Sequence, residues 1–355
     1  MQRTYADYVA EDVLEKNDHQ LHSVIKARKK PLPHSKQDHS LAKFGFFHYL
    51  KFEDDAALEV RAQEFFRLMY PAQPKTRLIL RGKNKVVASK EVPILSSLPE
   101  WGWAKLHADI KSGAVTGFGK ILLLSLLTQE VDFKESNIVI NNKKQMIKLD
   151  GGCCFWNLQR TRSRMLRYFT SKDYAALPFI EDFEVCNWLG LYEYDTEQKK
   201  VYKSKREWLT PEMKQWQTIR DEIHEMTLAF LMMPDEFIKA FDKAYPNRKN
   251  YLVANRLIDA RKTLKGAAMD DPRFLKYLLS PKADQDVEKY IAQFAAFHPK
   301  GKRTLNAERH KGSMRAAANT LKEQAKLKPE TRRYQLLQKI HAIAGPDAVL
   351  LKPKI

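Results

Sequence analysis

The stretch from 116 to 152 constrains this chain more than any other. Ile121-Leu-Leu-Leu-Ser-Leu-Leu127 is apolar at almost every position, inside a helical pattern running from Thr116 to Thr128. A helix that is apolar all round is buried on every side, and this run is far too short to span a bilayer. It feeds a polar loop, Glu130-Val-Asp132-Phe-Lys134-Glu-Ser-Asn137. Two short apolar runs follow, Ile138-Val-Ile and Met146-Ile-Lys-Leu, on either side of Asn141-Asn-Lys-Lys144. That pattern predicts a hairpin. It carries the chain out and back, so Asn137 and the Asp150 that ends it, just before Gly151-Gly152, can face one cleft.

These residue types suit phosphoryl transfer, whose barrier lies mainly in positioning and in charge on the phosphoryl oxygens. Asp132 can accept the nucleophile's proton, and Lys134 can neutralise the transferring group. Asn137 and Asp150 offer hard oxygen ligands for a divalent cation, Mg²⁺ or Mn²⁺. Upstream, Arg77-Leu-Ile-Leu-Arg81 and Lys85-Val-Val-Ala-Ser-Lys90 flank a glycine-asparagine turn and predict a second hairpin. Lys90 then stands at a strand end, where a fixed cation can hold the phosphates of ATP.

The rest of the chain gives a coarser reading. Tyr5, Tyr8, Val9 and Val13 suggest a helical start over 1–25, and Lys26-Ala-Arg-Lys-Lys-Pro31 a basic linker. Apolar residues at helical and mixed spacing fill 42–70. Ser97-Leu-Pro-Glu100 opens a helix running to Lys111 and stopping near Gly113. After Gly151 the pattern is mostly helical, with an irregular stretch from 191 to 207. Two basic helices, Thr304–Leu327 and Glu330–Ala344, close the chain. Cys153, Cys154 and Cys186 form no C-x-x-C pair, which fits buried thiols in a reducing compartment rather than a zinc site. Met1 to Lys16 mixes four acids with apolar residues and does not read as a signal peptide. A cytosolic protein is expected.

The motifs resemble those of protein kinases. Asp132-Phe-Lys-Glu-Ser-Asn137 is similar to the catalytic loop, Asp150-Gly151 to the metal-binding element, and Val87-Ala-Ser-Lys90 to the strand that carries the nucleotide lysine. Within that superfamily the short form resembles remodelled atypical kinases of the Legionella secreted-effector type, which are activated by inositol hexakisphosphate. The resemblance implies an α+β, two-lobed fold with Asp132 as base, Asn137 and Asp150 on metal, and Lys90 on ATP. It also implies secretion into a host cell and a peripheral place on a host membrane. The glutamate partner of Lys90 is expected at Glu100, with Asp109 second. Only 42 residues separate Lys90 from Asp132, so a trimmed upper lobe is expected. No G-x-G-x-x-G precedes Lys90, and Glu130-Val131 stands where the kinase motif has His-Arg. Three units result: 1–40, a kinase-like core over 41–297, and a basic extension over 298–355.

Charge supplies the expected partners. The net charge is +19, and 14 basic residues face 4 acidic ones from Lys300 to Ile355. Such a surplus calls for an anionic partner. Arg160, Arg162, Arg164, Arg167 and Lys172 form a cluster in what the resemblance makes the activation segment. No acid interrupts it between Asp150 and Asp173, so it suits a polyphosphate such as inositol hexakisphosphate. A second cluster runs from Lys199 to Arg206. Lys302, Arg303, Arg309, Lys311 and Arg315 suit a phosphoinositide membrane. A single aromatic, Tyr334, leaves no base-stacking platform there, so nucleic acid is the weaker partner. Two other functions stay open: a phosphoinositide or other small-molecule kinase, and a pseudokinase adaptor that binds polyanions.

Overall fold

The computed structural model describes residues 8–14, 24–29, 47–52, 56–81, 84–130, 133, 135–155, 158, 169–180, 192–195, 200–203, 209–245, 253–299, 305 and 307–327. The architecture is α+β, a sheet layer on a larger helical layer. Strands β1 (Tyr8–Leu14), β2 (Val24–Lys29) and β3 (Phe47–Phe52) form an antiparallel meander. Helix α1 (Ala56–Met69) follows, then β4 (Thr76–Arg81) and β5 (Asn84–Lys90). β5 inserts between β3 and β4, so the sheet runs β1-β2-β3-β5-β4.

This layer corrects three expectations. The start of the chain holds strands, not a helix, and Lys26 to Lys29 lie in β2, not in a linker. The spacing of Tyr8, Val9 and Val13 fits a helix as well as a strand. β-Branched and aromatic residues favour the pleated form once partners exist, and β2 supplies them. Nor is the layer trimmed to one hairpin, because it carries five strands.

β6 (Ile94–Ser97) leaves the sheet and leads to α2 (Leu98–Trp101) and α3 (Trp103–Ser112). The single helix expected here breaks at Gly102, whose φ of 82° no side-chain-bearing residue adopts readily. Helix α4 (Phe118–Leu127) comes next and buries every residue except Lys120, as its apolar run requires. It lies so close to the later helices that a Cβ on Gly119 would sit 2.5 Å from the Ile219 carbonyl. β7 (Ile138–Asn141) and β8 (Met146–Lys148) then form the expected hairpin and pair with β6.

The remainder is helical: α5 (Ser171–Ala176), then, after a hairpin of β9 (Tyr192–Asp195) and β10 (Lys200–Lys203), α6 (Gln217–Leu231), α7 (Asp235–Lys243), α8 (Val253–Met269), α9 (Pro272–Leu278), α10 (Pro281–Ala296) and α11 (Lys311–Lys326). The β9–β10 hairpin occupies the stretch expected to be irregular. Glu225 of α6 ties three helices together: it bonds Lys120 of α4 at 3.0 Å, and Lys289 and Tyr290 of α10 at 2.6 and 2.9 Å. Met314, Ala318, Leu321 and Ala325 of α11 join the same apolar core as α1, α4 and α6. The boundary expected at 298 therefore falls within continuous packing, and α11 belongs to the helical layer. The second basic helix, Glu330–Ala344, lies outside the described residues. Among the described residues, no helix is long and apolar enough to cross a membrane.

Candidate functional site

The β7–β8 hairpin does what the sequence predicts. Ile138 pairs with Lys148 at its open end, and the Leu149 N–H donates to the Asn137 carbonyl at 2.9 Å. Asn137 and Asp150 therefore both lie at the open end of the hairpin, Asp150 one residue beyond the partner of Asn137, and both are half-buried. Asn137 closes a single 3₁₀ turn, Glu135–Asn137, and Phe133 just before it is fully buried. The Asp150 carboxylate accepts the Gly152 N–H at 2.8 Å. Asp132 and Lys134 lie outside the described residues.

Helix α1 forms the wall behind Asp150. A Cβ on Gly151 would meet the Gln63 Cγ at 2.8 Å, so glycine lets the loop reach α1. Gln63 reaches both ways. Its amide donates to the Leu149 carbonyl at 3.0 Å, and its oxygen accepts the hydroxyls of Thr76 and Ser89 at 2.7 and 3.1 Å. One side chain thus joins the sheet to the residue before Asp150.

Below Asp150, Lys148 and Glu130 form a buried ion pair of 2.8 Å. The Cys154 thiol donates to the same Glu130 oxygen at 2.7 Å. Burial alone would lower the Lys148 ammonium, but Glu130, Cys154 and Asp150 hold it above the usual lysine value. Burial and Glu130 push the Cys154 thiol well above its ordinary value, so it stays protonated and unreactive. Glu130 stands where the kinase motif has histidine, and here it fastens the loop after α4 to the strand before Asp150.

Other expected residues stand elsewhere. Lys90 is the last residue of β5 and pairs with His48 of β3. Its neighbour Ser89 faces α1, so strand alternation puts Lys90 on the opposite side of the sheet. Burial and then Arg77 lower its ammonium. Glu100 is exposed and caps its own helix: its carboxylate accepts the Ser97 N–H at 3.0 Å, and these bonds hold it below the usual range. Asp109 accepts the Trp101 indole N–H at 2.8 Å and pairs with Lys105. Arg160, Arg162, Arg164 and Arg167 lie outside the described residues, while Lys172 is exposed on α5. In the basic extension Lys302 and Arg303 lie outside them too. Arg309 is exposed, Lys311 pairs with Glu308 at 2.6 Å, and Arg315 grips Glu288 of α10 with two bonds of 2.7 and 2.6 Å. Two of the expected membrane cations are thus already matched by acids.

Lys51 was not singled out in the sequence. It lies on β3 in register with Val87, immediately ahead of α1. Phe47-His-Tyr-Leu-Lys-Phe52 is rich in aromatics, and that strand preference was its available signal. The residues also fit a metal. Among the described residues no three His, Cys, Asp or Glu side chains gather as a metal cluster. An amide and one carboxylate at the same hairpin end suit Mg²⁺, which keeps waters and takes the rest of its ligands from phosphates.

No family model matches the chain, and neither does any curated protein. Among solved structures it is similar to the crystal structure of a Helicobacter pylori proinflammatory kinase, CtkA. Identity is 11% and the TM-score 0.33, over 91% of this chain and 94% of that one. A likeness that low decides neither fold nor activity.

Proposed function

We propose that the chain is an ATP-dependent kinase in which Asn137 and Asp150 hold Mg²⁺ or Mn²⁺ and Asp132 receives the acceptor's proton. The observation that supports this most is the hairpin geometry, with the Leu149 N–H on the Asn137 carbonyl and both oxygen ligands leaving the same end. The bound cation would neutralise charge on the phosphates. In protein kinases the nucleotide lysine lies on the third strand, just ahead of the helix that carries its glutamate. Lys51 on β3 takes that role here in place of Lys90. Glu59 follows on α1, buried and one turn before Gln63 on the same face. The acceptor is a protein hydroxyl. The arginines from Arg160 to Arg167 take an activating polyphosphate such as inositol hexakisphosphate. Arg309 and the cations beyond the described residues meet an acidic membrane in the host cell.

The test is phosphate transfer from ATP by purified wild type and variants, with Mg²⁺ or Mn²⁺ and with or without inositol hexakisphosphate. Asp150→Ala abolishes transfer, Asn137→Ala lowers it less, and Lys51→Met costs far more than Lys90→Met. Transfer by Asp150→Ala at the wild-type rate would sink the reading. Equal losses at Lys51 and Lys90 would remove only the assignment of the lysine.

A further inference from the structure

We propose that Gln73 is a positioning residue for Asp150, acting through one water held in a small cavity between them. The inference rests on Asp150 being the metal ligand.

Gln73 ends the turn after α1, where its N–H donates to the Tyr70 carbonyl at 3.1 Å. It is only 4% exposed. Its side-chain oxygen accepts the Lys148 N–H at 3.2 Å. That bond fixes which way the amide points, because only the oxygen can accept. No protein atom accepts from the Nε2. A buried amide donor left without a partner costs free energy unless water serves it.

The cavity it lines is about 10 Å³, room for one water. Phe66 and Gly151 supply apolar or backbone wall. The polar side chains in the lining are Gln63, Gln73, Lys148 and Asp150. Gln63 is spent: its amide serves Glu59 and the Leu149 carbonyl, and its oxygen takes two hydroxyls. Lys148 pairs with Glu130 and, being a donor only, cannot accept from the amide. Asp150 accepts the Gly152 N–H, and each carboxylate oxygen can accept more than one hydrogen bond. A water accepting from Gln73 Nε2 and donating to Asp150 satisfies the orphan amide and fixes the carboxylate's rotation. The signal is a polar side chain beside a metal ligand, where an outer partner commonly sets the ligand's geometry.

The experiment measures Mn²⁺ binding by paramagnetic resonance in the presence of a non-hydrolysable ATP analogue, for wild type, Gln73→Met and Asp150→Ala. The melting temperature and the affinity for the analogue without metal are read alongside. Gln73→Met should weaken Mn²⁺ binding about tenfold, with metal-free nucleotide affinity unchanged. A lower melting temperature with unchanged Mn²⁺ affinity makes Gln73 merely structural and overturns the inference alone. Wild type that fails to bind Mn²⁺, or Asp150→Ala that binds it as tightly, overturns the kinase reading and this inference together. If Gln73→Met does not fold, a high-resolution crystal structure of wild type decides. A water within hydrogen-bond reach of both Gln73 Nε2 and Asp150 supports the proposal, and a dry cavity overturns it.

Discussion

Helices α1 and α11 are both rich in charge, yet they use it in opposite ways. In α1 the charges are inside. Arg61 is fully buried, pairs with Asp242 at 3.0 Å and donates to the Tyr245 carbonyl at 3.1 Å. Glu64, also buried, takes the Thr76 N–H, the Tyr245 hydroxyl and Arg67. In α11 the charges are outside: Arg315 with Glu288, Lys322 with Asp284 and Lys326 with Glu323 all lie along the surface. An ion pair therefore says little until its surroundings are known. Breaking a buried pair strands a charge, whereas breaking an exposed one returns both partners to water.

Substitutions test this contrast in descending order. Arg61→Met should cost about 3–5 kcal/mol in denaturant unfolding, since it strands Asp242 and the Tyr245 carbonyl in the core. A loss under about 1 kcal/mol would put Arg61 in the same class as the α11 cations.

Acid gives the next effect. Burial opposes ionisation of Glu225, but Lys120 and Lys289 override it and pull the carboxyl from 4.5 down to about 2. A depressed carboxylate stabilises the fold above its unfolded pKa and loses that contribution as pH falls through the folded one. Wild type should hold an advantage of about 3 kcal/mol over Glu225→Gln at pH 6, shrinking between pH 4.5 and 2. A constant difference across that window would show that the variant acts through packing instead.

Smaller again is Gln293→Ala. The Gln293 amide donates to the Leu68 and Met69 carbonyls at the end of α1, and its removal should cost about 1 kcal/mol. Smallest is Arg315→Ala, whose stability should match wild type within error, with no dependence on salt. A clear loss there would erase the distinction between the two helices.

The sequence disclosed what local pattern controls. Leu-rich α4, the Gly82–Asn84 hairpin and the Asn141–Lys144 hairpin each follow from their own residues. β1 to β3 were hidden because the spacing of Tyr8, Val9 and Val13 fits a helix as well as a strand, and the basic run Lys26 to Lys29 looks like a linker until β1 and β3 pair on either side of it. Val87-Ala-Ser-Lys90 is visible as a run of letters, whereas the place of Lys51, on a strand that leads into α1, is set by topology and is not. The α11 core stripe, Met314, Ala318, Leu321 and Ala325, was present at helical spacing and masked by its many lysines. The environment of Gln73 was not legible at all, since nothing near it in sequence hints at Lys148 or Asp150.

The bonds along α1 bear on how such a molecule could move. Arg61 and Gln63, both mid-helix, grip α7's Asp242 and the sheet, and Gln293 of α10 takes the carbonyls at the C-terminal end. A helix fastened in this way is a bolt, not a lever. Swinging it outward would break several buried bonds at once. Any change of shape in the molecule would therefore work through parts of the chain that this bolt does not fasten.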